Sequence, residues 1–96
     1  MIIAIDYDAT YTLDPIIWDE VIKLFLKVNH TVICVTARPE VMGQEVLDSV
    51  GLLVPVLFAG AEWKREYALK HGYHVDVWIE DSPEYVGPQL LIGSKL

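Results

Sequence analysis

The 96-residue sequence has little of several features that mark whole classes of protein. It contains a single cysteine, Cys34, which excludes an internal disulfide and makes a reducing, cytoplasmic setting the expectation. Its longest apolar stretch, residues 51–61, is interrupted by Pro55 and is far shorter than the roughly 20 residues of a membrane helix. The apolar start, residues 1–5, is too short for a signal peptide and runs into acidic residues. These absences predict a soluble, cytoplasmic protein.

Basic residues are scarce as well. Seven Lys and Arg face fourteen Asp and Glu, which gives a formal net charge of −7. Nucleic acids and anionic membranes need a basic surface, so neither is an expected partner. A phosphorylated substrate held at one local site is compatible with this balance.

Apolar residues are abundant, at 53% of the chain, and they fall into short runs separated by helix-like segments. This alternation predicts an α/β fold with a single doubly wound, Rossmann-like parallel sheet of about five strands and helices on both faces. The run at 1–5 is apolar throughout, as in a central strand buried on both faces. Further strands are predicted at 31–35, 54–58, 75–79 and 90–92, and Pro55 indicates an edge position for the third.

Helix signals lie between these runs. Asp14 and Pro15 resemble the N-cap and first residue of a helix that reaches about Val28. A second helix is predicted to open near Pro39 and to end before Gly51, and a third covers 62–70. All connections are short, so residues 1–96 are predicted to form one domain.

Chemically reactive side chains follow the predicted strands, where ligands of open parallel sheets bind. Four acids, a hydroxyl and two cations share this placement: Asp6, Asp8, Thr36, Arg38, Lys64, Glu80 and Asp81. Acids gathered this closely repel one another unless a cation binds among them. Carboxylate oxygens suit magnesium better than a soft metal, so Mg²⁺ is the predicted cofactor.

A carboxylate at a magnesium site can attack a phosphoryl group, and this covalent step divides hydrolysis into two easier ones. A second carboxyl can protonate the leaving oxygen and later deprotonate the attacking water. The same residues also have purely structural interpretations. The acidic pair is also typical of a solvated turn, Thr36 of a helix cap, Lys64 of a solvated helix and Arg38 of a surface salt bridge.

Four segments together resemble the motifs of the haloacid dehalogenase superfamily. Residues 6–10, Asp-Tyr-Asp-Ala-Thr, resemble its first motif, Asp-x-Asp-x-Thr. Residues 32–38, Val-Ile-Cys-Val-Thr-Ala-Arg, resemble the second, an apolar strand that ends in Thr or Ser. Lys64 fits the lysine of the third motif, and residues 77–83 fit the fourth, a strand that ends in an acidic pair. All four occur in the order of the family, and the resemblance spans residues 1 to about 92.

The resemblance implies a role for each residue. Asp6 is expected to be the nucleophile and a metal ligand, and Asp8 the acid/base, with its backbone carbonyl also on the metal. Thr36 and Lys64 are expected to hold phosphoryl oxygens. Asp81 is the expected third protein ligand of the metal, with Glu80 as an alternative or helper, because the pair in the family is more commonly Asp-Asp. From its position alone, Arg38 is a further candidate to bind substrate phosphate.

The leading functional hypothesis is therefore a magnesium-dependent phosphatase that hydrolyses phosphoric monoesters through an aspartyl phosphate. No segment after the first or second motif is long enough for a cap domain, so the active site is expected to be open, which suits a macromolecular substrate or closure by a second subunit. The alternative is a non-catalytic domain of the same fold that binds a phosphorylated ligand or protein partner. A receiver domain is disfavoured, because the third strand ends in Ala59 and Gly60 rather than in an acceptor Asp.

Two apolar segments, residues 52–58 and 90–92, lie near a predicted edge strand and near the end of the chain. An exposed apolar edge favours aggregation unless it is covered. A homo-oligomer, most simply a two-fold dimer, is therefore predicted, and the alternative is that both segments pack inside the same sheet.

Overall fold

The computed structural model describes residues 1–89 and contains one parallel sheet. Its strands are β1 (Ile2–Ile5), β2 (Thr31–Thr36), β3 (Val56–Phe58) and β4 (Val77–Ile79), in the order β3-β2-β1-β4. The predicted parallel α/β sheet, the central position of β1 and the edge position of β3 are confirmed. The described residues form four strands rather than the predicted five. The segment predicted as the fifth strand, 90–92, lies outside them.

Three α-helices connect the strands: α1 (Pro15–Lys27), α2 (Gln44–Leu47) and α3 (Lys64–Lys70). The Asp14 side chain caps α1 as predicted, because its Oδ1 accepts a hydrogen bond from the Ile17 N–H at 3.2 Å and Pro15 follows as the first helical residue. Within residues 1–89, none of the helices has both the length and the apolar character needed to cross a membrane.

The helix predicted between Pro39 and Gly51 is wrong in extent. Instead, two 3-10 turns, Glu40–Met42 and Val50–Leu52, flank the four residues of α2. Gly43 lies at this interruption, and its backbone is so close to the Phe58 ring that a Cβ atom would clash with it. Glycine is also unfavourable inside a helix by about 1 kcal/mol relative to alanine.

Alternate residues of β1 point into two separate cores. Ile3 and Ile5 pack on the side of α1 and α2, together with the buried Ile22. Ala4 points the other way and packs with Ala68 of α3. The helices thus cover both faces of the sheet, as predicted.

Cys34 on β2 belongs to the first of these cores. Burial raises the pKa of its thiol to about 12, so the group is held as an unreactive thiol.

The direction of the chain across the sheet reverses next to β1. From β1 the chain steps to β2 and then to β3, and it returns over the opposite face to β4 on the other side of β1. At such a switch point the connections leave toward opposite faces and open a crevice at the carboxyl ends of the strands. The crevice of this sheet therefore lies between the ends of β1 and β4.

Candidate active site

Asp6 and Glu80 lie side by side at this crevice because of the strand register. Ile5 pairs with Ile79, and the Asp6 N–H donates to the Ile79 carbonyl at 2.9 Å. The next residue of each strand is therefore an acid at the same edge of the sheet. The crevice is a cavity of about 190 Å³, lined by Asp6, Asp8, Ala9, Ala37, Lys64, Glu80, Asp81, Ser82 and Tyr85.

Lys64 is a buried cation between the two acids. It is the first residue of α3, and its Nζ donates to Asp6 Oδ1 at 2.7 Å and to Glu80 Oε1 at 2.5 Å. The side chain of Lys64 is only 2% exposed, that of Asp6 is 7% exposed and that of Glu80 is 4% exposed. Charges this far from water are stable only when they are paired, so the lysine and the carboxylates hold one another in place.

Thr10 holds the other oxygen of Asp6. Its buried hydroxyl is 3.3 Å from Asp6 Oδ2 and 3.3 Å from Asp81 Oδ1, so one O–H is shared between two carboxyl groups. Both oxygens of Asp6 are thereby oriented, one by Lys64 and one by Thr10. From its place in the Asp-x-Asp-x-Thr pattern, Thr10 is predicted to hydrogen-bond the turn backbone and orient Asp8, whereas in the structure its hydroxyl contacts Asp6 and Asp81.

The acids outnumber the base in this cluster. Oxygens of Asp6, Glu80 and Asp81 lie within 4.8 Å of one another, against the single ammonium of Lys64. Burial, together with a hydrogen bond with Asp81, raises the pKa of Asp6 to about 7 against the opposing effect of Lys64. The same hydrogen bond with Asp6 lowers the pKa of Asp81. Of these two neighbouring carboxyl groups, Asp6 therefore takes up the proton when no cation is bound.

The donor set fits a divalent cation. Three carboxyl groups in contact with one lysine leave an excess of negative charge, and hard oxygen ligands are those that magnesium prefers. Both Glu80 oxygens are already committed, to Lys64 and to the Ser82 N–H at 3.2 Å. Asp81 is exposed, and the hydroxyls of Thr10 and Ser82 are the protein donors that reach its carboxylate within residues 1–89. Asp81 is therefore the most accessible of the three carboxylates and the one best placed to join Asp6 in holding the ion, with Glu80 as the anchor of Lys64.

Asp8 also lines the cavity, but its carboxylate is bound to Arg38. The guanidinium forms a bidentate pair with it, with Nε to Oδ2 at 2.9 Å and Nη2 to Oδ1 at 2.8 Å. A second pair joins Arg38 to Glu45, and Nη1 donates to the Met42 carbonyl at 3.2 Å. Arg38 does not line the cavity, and its guanidinium is occupied by these protein partners.

Thr36 is buried at the end of β2 and lies behind the cavity. Its Oγ1 accepts a hydrogen bond from the Arg38 N–H at 3.1 Å, which closes the turn after the strand. The neighbouring Ala37, rather than Thr36, lines the cavity. Of the residues predicted at the site, Thr36 and Arg38 are the two that the structure keeps out of the cavity wall.

Tyr7 lies between the two aspartates and faces away from the cavity. Tyr7 is 4% exposed, its ring stacks on Tyr11, and the Arg38 guanidinium sits 5.2 Å from the centroid of the Tyr7 ring. The Tyr7 hydroxyl accepts a hydrogen bond from Ser49 at 3.3 Å. Tyr7 thus supports the turn between Asp6 and Asp8 from the core side.

Sequence reasoning missed four residues that line the cavity: Ala9, Ala37, Ser82 and Tyr85. The two alanines and Ser82 directly follow predicted site residues in the chain. Tyr85 had no such signal, because residues 82–84 indicated only a turn or short helix.

Comparisons of the chain with protein-family models, with curated proteins and with solved structures find no match. The geometry of the cavity is therefore what supports a function for this chain.

Proposed function

We propose that this protein is a magnesium-dependent phosphatase of the haloacid dehalogenase type, with an open site and Asp6 as its nucleophile. One observation carries the proposal: Asp6 lies at the switch point of the sheet, with one oxygen held by buried Lys64 and the other by Thr10. An oriented carboxylate beside a cation, in a cavity open to solvent, is what covalent phosphoryl transfer requires.

In the first step, a carboxylate oxygen of Asp6 attacks the phosphorus of a phosphate monoester. The bond from phosphorus to the leaving oxygen breaks, and Asp8 donates a proton to that oxygen. Lys64 provides positive charge next to the group being transferred. The products of this step are the free alcohol and an aspartyl phosphate on Asp6.

In the second step, water attacks the phosphorus of the aspartyl phosphate. Asp8, now ionised, removes a proton from the water, and the bond between phosphorus and the Asp6 oxygen breaks. Inorganic phosphate leaves, Asp6 returns as a carboxylate and Asp8 is protonated again. Each residue thus ends the cycle in the state in which it began.

Mg²⁺ held by Asp6 and Asp81, with the backbone carbonyl of Asp8 as a further oxygen, would neutralise charge on the phosphoryl group. Removal of Lys64 is expected to weaken this neutralisation because an ammonium is lost. Removal of Asp81 is expected to weaken it because a ligand of the metal is lost.

The proposal is tested by a phosphatase screen on generic phosphate esters, with Mg²⁺ or with a chelator. Wild type is expected to turn over esters only with Mg²⁺, and Asp6→Asn is expected to be inactive but folded, because the amide is nearly isosteric and cannot form an acyl phosphate. Asp48→Asn is the matched control, since Asp48 is an exposed acid that pairs with Gln44 away from the cavity. Retention of a tenth or more of the wild-type activity by Asp6→Asn would disprove the covalent mechanism.

The bidentate pair of Arg38 with Asp8 favours a second candidate, a non-catalytic domain that binds a phosphorylated ligand or partner. A general acid needs a carboxyl oxygen that can reach the leaving oxygen, whereas both oxygens of Asp8 accept hydrogen bonds from the Arg38 guanidinium. Metal-dependent binding of a phosphate ester without turnover by wild type would favour this candidate over the phosphatase.

A cytoplasmic location and a phosphorylated substrate, macromolecular or small, belong to the same proposal. A homo-oligomer is also proposed, with β3 as the candidate contact, because it is an edge strand whose three residues are only half-buried. Light scattering over a dilution series tests the oligomer: a constant mass near 10.9 kDa contradicts it.

A further inference from the structure

Tyr85 is an exposed aromatic side chain in the wall of the cavity. It is 55% exposed, yet it lines the same cavity as Asp6, Asp8 and Lys64. Large aromatic side chains are stabilised by burial, so an exposed ring beside a reactive site offers a face to a ligand.

The backbone beneath Tyr85 is fixed. The residue ends the 3-10 turn Pro83–Tyr85, where its N–H donates to the Ser82 carbonyl at 3.0 Å. The next carbonyl, of Val86, accepts from the Arg65 N–H at 2.9 Å, which joins the turn to the start of α3. Gly87 then packs against the Trp63 side chain, where a Cβ atom would lie within 2.7 Å. Tyr85 and Lys64 are thus carried by two segments that are joined to each other.

The rest of the cavity wall divides into a charged part and an apolar part. The acids and Lys64 form the charged part, whereas Ala9 and Ala37 contribute small apolar surfaces next to Asp8. Lys64 is the one cation in the wall formed by residues 1–89, and it is already paired with two acids. The wall therefore offers no free basic group for a second phosphate, while it does offer an aromatic face.

We propose that the preferred substrates are phosphate monoesters whose leaving group carries an aromatic ring, and that Tyr85 is the residue that selects them by stacking. The inference rests on the proposed phosphatase function and adds its substrate class. A cavity of about 190 Å³ is smaller than the roughly 300–1,000 Å³ of sites for drug-sized ligands, so it suits a phosphoryl group with a single aromatic ring system. An aryl phosphate and a nucleoside monophosphate both present this chemistry.

The test compares kcat/KM for three esters in Mg²⁺: phenyl phosphate, a nucleoside 5′-monophosphate and glycerol phosphate, which has no ring. Wild type is expected to prefer at least one ring-bearing ester, and Tyr85→Ala to reduce this preference by about tenfold, mainly through KM. Tyr85→Phe keeps the ring and is expected to keep the preference. Leu52→Ala is the matched control, because Leu52 is 78% exposed and precedes β3 at the opposite end of the sheet.

Binding of the same three esters to Asp6→Asn, followed by calorimetry, separates this inference from the phosphatase itself. If wild type hydrolyses none of the esters but ring-bearing ones bind in a manner that depends on Tyr85, the phosphatase fails and the ring selectivity stands. Equal use or binding of all three esters, or an unchanged preference in Tyr85→Ala, overturns the inference. If Tyr85→Ala lowers kcat/KM or binding more for phenyl phosphate than for the nucleotide, the leaving group belongs to the aryl class. The reverse order assigns it to the nucleoside class.

Discussion

Two networks of one base and two acids contribute side chains to the same cavity wall, the second through Asp8 alone, and they differ in their access to water. The buried network consists of Lys64, Asp6 and Glu80, with side chains 2–7% exposed. The exposed network consists of Arg38, Asp8 and Glu45, with side chains 25–64% exposed. The hydrogen-bond distances are similar, from 2.5 to 2.9 Å, so geometry alone does not distinguish the networks.

Burial decides what each network does. Water and salt screen the exposed network, so its pairs contribute little to stability and are free to exchange partners. In the buried network, desolvation raises the pKa of Asp6 and makes each charge depend on the others. The proposed nucleophile, Asp6, is therefore held rigidly, whereas the proposed acid/base, Asp8, is held by an exposed ion pair that can exchange partners.

The largest expected effect is the loss of the buried cation. Lys64→Met keeps the length of the side chain but leaves Asp6 and Glu80 without their partner, and it is expected to lower the free energy of unfolding by about 3–5 kcal/mol near neutral pH. Urea denaturation measures this loss. Lys70→Met is the matched control, because Lys70 pairs with Glu62 at the surface, where water screens the pair, and its removal is expected to change stability far less. Equal losses in the two variants would remove the distinction between the networks.

The next effect concerns the metal. Asp81→Ala is expected to weaken Mg²⁺ binding at least about tenfold, or about 1.4 kcal/mol, because its carboxylate is the exposed one beside Asp6. Glu80→Ala is expected to weaken it less, since both Glu80 oxygens already accept hydrogen bonds from the protein. Calorimetry on the two variants ranks them, and a larger loss in Glu80→Ala would reverse the assignment.

The pH dependence of stability reports on the raised pKa of Asp6. Its folded pKa of about 7 lies above the ordinary value of 3.8, so the folded protein binds a proton that the unfolded chain has released. The stability contributed by Asp6 is therefore complete below about pH 4 and is lost as the pH rises through about 7, by at most about 1.4 kcal/mol per pH unit. Urea midpoints measured in a chelator are expected to fall over this range in wild type and to stay flatter in Asp6→Asn. Midpoints that rise with pH in wild type would contradict the raised pKa.

The smallest effect is expected in the exposed network. Arg38→Met removes the pairs with Asp8 and Glu45 and is expected to destabilise the protein by about 0.5–1 kcal/mol. In about 1 M salt, where the Debye length is about 3 Å, this difference from wild type should vanish, whereas the loss in Lys64→Met should persist. Denaturation at low and high salt checks both statements. A loss in Arg38→Met that salt does not change would mean that the exposed network is not screened.

Local patterns were sufficient to predict the central strand and the start of the first helix. The apolar run before Asp6 predicted β1 at the centre of the sheet, and Asp14 with Pro15 predicted the start of α1. Both signals act within a few residues of the chain, where strand burial and helix capping operate.

Contacts between distant parts of the chain account for what the sequence did not predict. The helix after β2 is interrupted at Gly43, which packs on Phe58 of another element. Arg38 was open to two interpretations, and its partner Asp8 lies 30 positions away. The exposed position of Tyr85 in the cavity depends on the backbone hydrogen bond between its turn and α3. No periodic pattern in the sequence predicts that contact.

The central claim is that Asp6 becomes phosphorylated, and chemical trapping tests it most directly. Wild-type protein mixed with Mg²⁺ and a ring-bearing phosphate ester is treated with borohydride, which reduces an acyl phosphate to the alcohol, and the peptides are analysed by mass spectrometry. The account predicts homoserine at position 6 in wild type, only when both Mg²⁺ and ester are present, and none in Asp6→Asn. Turnover of the ester with an unmodified Asp6, or trapping at a different carboxylate, would contradict it.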